Sequence, residues 1–261
     1  MDLSQSTVSQ DRGGATESAE ALTPQVGEHQ GRAEECRAVA GLYRLLGRCL
    51  EDEVDAGLLA LLKGPLRPAL TEIGLVLDDL LPQFDTDDVV ASLAEEFTAL
   101  FVAPGAVSPY RSVFEKGCTF QEPCDQAIAA YREAGLEFQN RYSGEFPDHI
   151  GVMLGFVGWL AEREAESLGA GDDRGAEAWH ARRESFLLEQ LGPWAPGWCR
   201  RARILAQHDF YRQVLELAER VLWHDLQALT HRRRLKELER LNRRTPARLD
   251  YDADFRKASG L

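Results

Sequence analysis

The chain has 261 residues, 43 acidic against 30 basic side chains, and a net charge of -13. That balance argues against a nucleic-acid binder, because phosphate contacts need a basic surface, and favours basic partners such as an arginine-bearing peptide. The length allows one large or two small domains, and 44% hydrophobic residues suit an ordinary core.

The five cysteines (Cys36, Cys49, Cys118, Cys124 and Cys199) form an odd set without a CxxC, so neither a disulfide framework nor a structural zinc site is expected. Reduced thiols fit a cytoplasmic protein. The first residues lack the basic and apolar regions of a secretory signal. No run reaches the ~18 apolar residues of a spanning helix, so no stable membrane insertion is expected.

In chain order, residues 1–30 are polar and are expected to be disordered. Residues 31–51 carry Cys36, Val39, Ala40, Tyr43, Leu46 and Leu50 at helical spacing. Short helices follow over 55–63 and 66–80, and a longer one over 86–102. Residues 103–122 hold prolines, glycines and aromatics and read as an irregular loop, either functional or pinned to the core. Helices are predicted over 123–141, 147–168, 174–191, 196–206 and 209–241, the last capped by Asp209 and ending in a basic run. No segment alternates at period two. The fold class is therefore all-α: a single-domain helical bundle of about eight to ten helices over 31–241, with 242–261 a flexible C-terminal tail.

The stretch Glu145-Phe-Pro-Asp-His-Ile150 and the apolar helix behind it stand out. Pro147 suits a first helical turn, and Asp148 suits the positive end of the helix dipole. Ile150, Met153, Leu154, Val157 and Leu160 repeat on one face. Gly151, Gly155 and Gly158 each cost roughly 1 kcal/mol of helix propensity, which points to another helix packing closely there. Asp148-His149 is either a helix start or a polar site. No phosphate loop, HExxH or GxSxG is present, so no catalytic residue or metal ligand is assigned.

Several segments together resemble the TorD/DmsD/NarJ family of molybdoenzyme chaperones. Glu145 to Ile150 resembles the family's E-x-P-D-H-[IL] segment, and Pro109-Tyr-Arg-Ser-Val-Phe114 its P-Y-x-S-V-[YF] loop. Tyr131-Arg-Glu-Ala-Gly135, Trp194 to Cys199, Asp209-Phe-Tyr211 and Glu96-Phe-Thr-Ala-Leu-Phe101 are similar to further family segments in the same order. The resemblance covers roughly residues 35–226.

It implies a cytoplasmic, all-helical, non-enzymatic chaperone. Such a protein binds the twin-arginine signal peptide, the apo form of a molybdopterin-containing oxidoreductase, or both. It assists cofactor insertion and delays export until folding is complete. By the same resemblance, Asp148 and His149 are the polar pair at the peptide-binding region. Tyr110, Ser112 and Phe114 belong to the loop beside it, and Glu145 and Pro147 to the turn that positions the pair. No stably bound cofactor is expected; transient contact with molybdopterin cofactor or guanine nucleotide stays open, as do monomer and homodimer. Relatives place acidic residues after the histidine, whereas Met153 and Gly155 stand there in this chain and the next carboxylate is Glu162. A peptide guanidinium would then rely on Asp148, Glu145 or Glu115. A helical adaptor for another protein partner, and more remotely a guanine-nucleotide hydrolase, are the alternatives.

Overall fold

The computed structural model describes residues 17–77, 86–103, 106–140 and 146–245. Among these residues there are eleven α-helices and no strand. They are α1 Glu17–Glu51, α2 Ala56–Lys63, α3 Arg67–Glu72, α4 Thr86–Phe97, α5 Arg111–Lys116, α6 Glu122–Glu133, α7 Ile150–Gly169, α8 Asp173–Phe186, α9 Ala195–Leu205, α10 Asp209–Leu229 and α11 Arg232–Asn242. Single π-helical turns, Thr98–Val102 and Leu187–Leu191, extend α4 and α8. The all-α expectation holds.

α7 is the central helix. Ile150, Met153, Leu154, Val157 and Leu160 are all buried in the main core, as their spacing predicted. α1 packs along it, and the glycines explain how close it comes. A Cβ on Gly151 would overlap the Cβ of Glu51 and lie 2.7 Å from its Cα; one on Gly158 would lie 2.9 Å from the Ala40 carbonyl oxygen. From the other side, a Cβ on Gly47 would lie 2.8 Å from the Gly151 oxygen. Loss of propensity in α7 is thus offset by helix-to-helix contact. Gly155 is the exception: a Cβ there meets nothing within 4 Å.

Several boundaries differ from the sequence reading, each for a local reason. α1 starts at Glu17, within the stretch expected to be disordered to residue 30. Glu, Ala and Gln make up half of 17–30 and favour helix, against the opposing Pro24 and Gly27; residues 1–16 lie outside the described residues. α3 stops at Glu72, because Gly74 adopts φ +86°, and residues 78–80 of the predicted 66–80 helix lie outside the described residues. α6 stops at Glu133 because Gly135 adopts φ +79°, a left-handed conformation that ends a helix. The loop 103–122 contains the short α5, closed by Gly117 at φ +84°.

The predicted 209–241 helix is two helices. Thr230 is extended, and His231 starts α11 by accepting the Arg234 N–H at its Nδ1, 3.3 Å away. α11 then folds back, and Leu238 and Leu241 cover Leu226. Asn242, expected to begin the tail, is instead a buried clamp. Its Oδ1 accepts the Gly197 N–H at 2.6 Å, and its Nδ2 donates to the Gly192 oxygen at 2.7 Å. Residues 246–261 lie outside the described residues. Asp209 does not cap α10 either: His208 does, accepting the Phe210 N–H at 3.1 Å, while Asp209 pairs with Arg212.

Candidate functional site

The turn before α7 and the segment before α5 are tied together by short backbone contacts. Tyr110 and His149 form an isolated antiparallel bridge. The Ile150 N–H donates to the Pro109 oxygen at 2.8 Å, and the Arg111 N–H to the Asp148 oxygen at 3.1 Å. Tyr131 of α6 donates its hydroxyl to the Pro147 oxygen at 2.6 Å. Pro147 and Asp148 precede α7 rather than forming its first turn; His149 is the N-cap, its Nδ1 accepting the Gly151 N–H at 3.1 Å.

Asp148 is the knot of this arrangement. Its side chain is fully buried. Oδ2 accepts the Ser112 N–H at 2.7 Å and the Ser112 hydroxyl at 2.5 Å, and Oδ1 accepts the Cys124 thiol at 3.0 Å. One carboxylate therefore joins α5, α6 and α7. A buried carboxylate is tolerated only with such donors. The structure thus brings together Asp148, His149, Pro147, Tyr110 and Ser112. Phe114 is also buried, but its ring packs on Trp194 at 5.9 Å, away from this knot. Glu145 lies outside the described residues.

Of the three carboxylates considered for a guanidinium, Asp148 faces inward with its donors in place. Glu115 accepts from the buried Arg111 at 3.0 Å, and Arg111 also reaches Gln190. What faces outward is aromatic. Tyr110 lies edge-on to His149 (5.1 Å between centroids) and to Phe146 (5.3 Å), and Phe146 to Phe120 (4.3 Å). Phe120 is 75% exposed and adopts φ +57°, a conformation strained for a bulky L residue. Phe146 and Phe120 were missed as site residues. Their sequence signal is slight: Phe146 is the variable position within the Glu145 to Ile150 segment, and Phe120 follows the Pro109 to Phe114 segment in the same loop.

A groove of about 310 Å³ lies beside the knot, sharing Tyr131 with it. Glu51 at the end of α1 and Glu137 after α6 line it, with Phe138, Phe156 and Trp159, and Gly155 forms part of the floor. These carboxylates come from α1 and from the segment after α6, not from α7. Two acids and aromatic faces in one concavity suit a guanidinium, which pairs with carboxylates and stacks on rings.

Among the described residues no three His, Cys, Asp or Glu side chains converge as metal ligands. Cys124 does not pair with Cys118; all five cysteines are free thiols.

The thiols carry a pH signature. Burial and then the Asp148 carboxylate push Cys124 from its ordinary 9.0 up to about 11. Burial pushes Cys49 up to about 12, and burial with Glu164 pushes Cys36 up to about 11. Tyr131 is also raised, first by burial and then by Asp148. Raised folded-state values mean the native state holds these protons more tightly than the unfolded chain. Their stabilisation is complete below pH ~9 and is lost as pH rises through the folded values. The melting temperature should therefore stay level up to about pH 9 and fall steeply above it, with protons released on unfolding. A melting temperature unchanged up to pH 11 would contradict this.

The nitrate reductase delta subunit family model matches residues 62–200, over half of the chain. The chain belongs to this family. The matched span includes the α5 segment, the Asp148 turn, α7 and most of α9. Chaperone protein TorD of Vibrio vulnificus (strain YJ016) is 29% identical over 156 residues, covering 58% of this chain and 69% of the relative. TorD of Aeromonas salmonicida (strain A449) is 31% identical over 135 residues, covering 51% and 56%. Chaperone protein YcdY of Escherichia coli (strain K12) is 26% identical over 154 residues, covering 58% and 73%. The family recognised from the motifs, the TorD/DmsD/NarJ chaperones, is thus the one to which the chain belongs. No described helix is long and apolar enough to cross a membrane.

Proposed function

We propose that this family member is a cytoplasmic chaperone for a molybdopterin-containing oxidoreductase. It binds the client's twin-arginine signal peptide, holds the apo form during cofactor insertion, and delays export until folding is complete. It works by binding and carries out no catalysis.

The observation that carries this reading is the aromatic strip Tyr110, Phe146 and Phe120 together with a groove holding Glu51 and Glu137, the two linked through Tyr131, which lines the groove and bonds the Pro147 oxygen. An apolar peptide segment covers the strip, and an arginine enters the groove against Trp159 and Phe138. Asp148, Ser112, Pro147 and the buried His149 position this surface from beneath, while the half-buried Tyr110 presents its ring to it. The charge-assisted part of the contact is surface-exposed, so affinity should fall with salt.

The test is titration of a labelled twin-arginine peptide. Wild type should bind it, and Phe120→Ala with Glu137→Gln should weaken binding about tenfold or more, the scale of one lost charge-assisted contact plus an aromatic face. A peptide with both arginines changed to glutamine should bind wild type as weakly. Equal affinity for both peptides would remove this surface from the role.

A further inference from the structure

A second groove, of about 450 Å³, opens on the other side of the α5 segment. Val107, Val113 and Phe114 form one wall, and Ile204 and Leu205 at the end of α9 form the other. Ile204 is 73% and Leu205 53% exposed. Single exposed apolar residues are ordinary, but here five line one concavity.

The groove contains one charge, Arg201. Its guanidinium lies 5.3 Å from the centroid of the Phe114 ring. Its neighbours are neutralised: Arg200 bonds Glu219 at 2.9 Å, and Arg203 pairs with Glu216 at 3.3 Å. Arg201 has no carboxylate partner among the described residues, on a chain of net charge -13. Burial and then Arg200 lower its pKa, as expected of a cation held in apolar surroundings without a counter-charge.

We infer that this groove docks an apolar protein segment bearing a carboxylate, an acidic amphipathic helix of a partner, with Arg201 as its charge mate. The chemistry is opposite in sign to that of the arginine peptide proposed for the aromatic strip, so the two surfaces take different segments. An arginine-bearing segment would be repelled by Arg201, and a neutral one would leave it unpaired. The apolar face of such a helix fits between Val107 and Ile204, and its carboxylate accepts from the guanidinium. One chain segment serves both surfaces. Pro109 accepts from Ile150 at the knot, and Ser108, which lines the groove, accepts the Trp198 indole N–H at 2.8 Å.

The experiment uses the full chain and two labelled helical peptides. Both carry leucines along one face; one has a glutamate at the edge of that face and the other a glutamine. The glutamate peptide should bind wild type about tenfold or more tighter than its counterpart, the scale of a hydrogen bond to a charged group. Arg201→Gln should abolish the preference, and Arg201→Lys should keep part of it. Ile204→Asp should weaken both peptides, and because the side chain is exposed the variant should keep the wild-type melting temperature. Equal affinity of the two peptides, or a preference that survives Arg201→Gln, would overturn the inference. So would an Ile204→Asp change that turns a dimer into a monomer in sedimentation, since the occupant would then be a second copy.

Discussion

Replacing Asp148 with alanine is expected to lower stability by about 4 kcal/mol, since it strands three buried donors, each worth roughly 1–3 kcal/mol when unmade. The donors are the Ser112 N–H, the Ser112 hydroxyl and the Cys124 thiol; the hydroxyl and the thiol also lie 3.8 Å apart, a weak contact that does not replace the carboxylate. The effect should exceed that of an ordinary surface change because α5, α6 and α7 meet at this one side chain. Asp148→Asn keeps an acceptor for the Ser112 N–H but turns a donor toward a neighbouring donor, so its loss should be smaller, about 2 kcal/mol. Urea unfolding midpoints measure both. The binding consequence separates positioning from contact. At low temperature, where Asp148→Asn is still folded, it should weaken the arginine peptide less than Phe120→Ala does. If Asp148→Ala unfolded at the wild-type urea concentration, the knot would not hold this corner together.

The second large effect concerns the helix interface. Gly151→Ala is expected to destabilise the protein by about 3 kcal/mol, in the upper range for overpacking, because its Cβ would strike backbone and Cβ of Glu51 rather than a flexible tip. Gly155→Ala, four residues along the same helix, should stabilise by up to about 1 kcal/mol, because its Cβ meets open space and the helix gains propensity. Thermal melts of the pair check the sign. Equal losses at both positions would mean that glycine serves helix flexibility and not close approach. Gly155 also floors the proposed arginine groove, so Gly155→Ala should weaken the arginine peptide even as it stabilises the fold.

The fold was largely legible because burial in helices leaves a periodic trace. Ile150 to Leu160 on α7 and Tyr43 to Leu50 on α1 were placed correctly by spacing alone. The close approach of α1 was legible too, from Gly151 and Gly158, though not from Gly155, where a Cβ would meet nothing. Helix ends were less so. His149, His208 and His231 cap their helices through Nδ1. At 149 and 208 an aspartate stands beside the histidine and is the stronger cap candidate on sequence grounds, and at 231 the histidine lies inside an unbroken helical pattern. The fold-back of α11 could not be foreseen because it depends on Asn242 bonding to Gly192 and Gly197, some fifty residues away in sequence.

The site shows the same division. The motifs located Asp148 and Tyr110 in one corner, and they do meet. Which way a side chain points is not a property of local sequence, however. Asp148 turns inward to Ser112 and Cys124, while Phe120 and Phe146 turn outward. The carboxylates of the proposed arginine groove, Glu51 and Glu137, are 86 positions apart in the numbering and come to line one concavity only in the folded chain.

The central claim is that this chain holds a molybdopterin oxidoreductase before its cofactor is in place. Purification of the tagged full chain from its native host, followed by identification of bound subunits and their cofactor content, tests it most directly. The account predicts an oxidoreductase subunit that still carries its twin-arginine segment and lacks molybdopterin, lost from the Phe120→Ala, Glu137→Gln double variant. Recovery of only cofactor-loaded enzyme, or of a partner with no such segment, would contradict it.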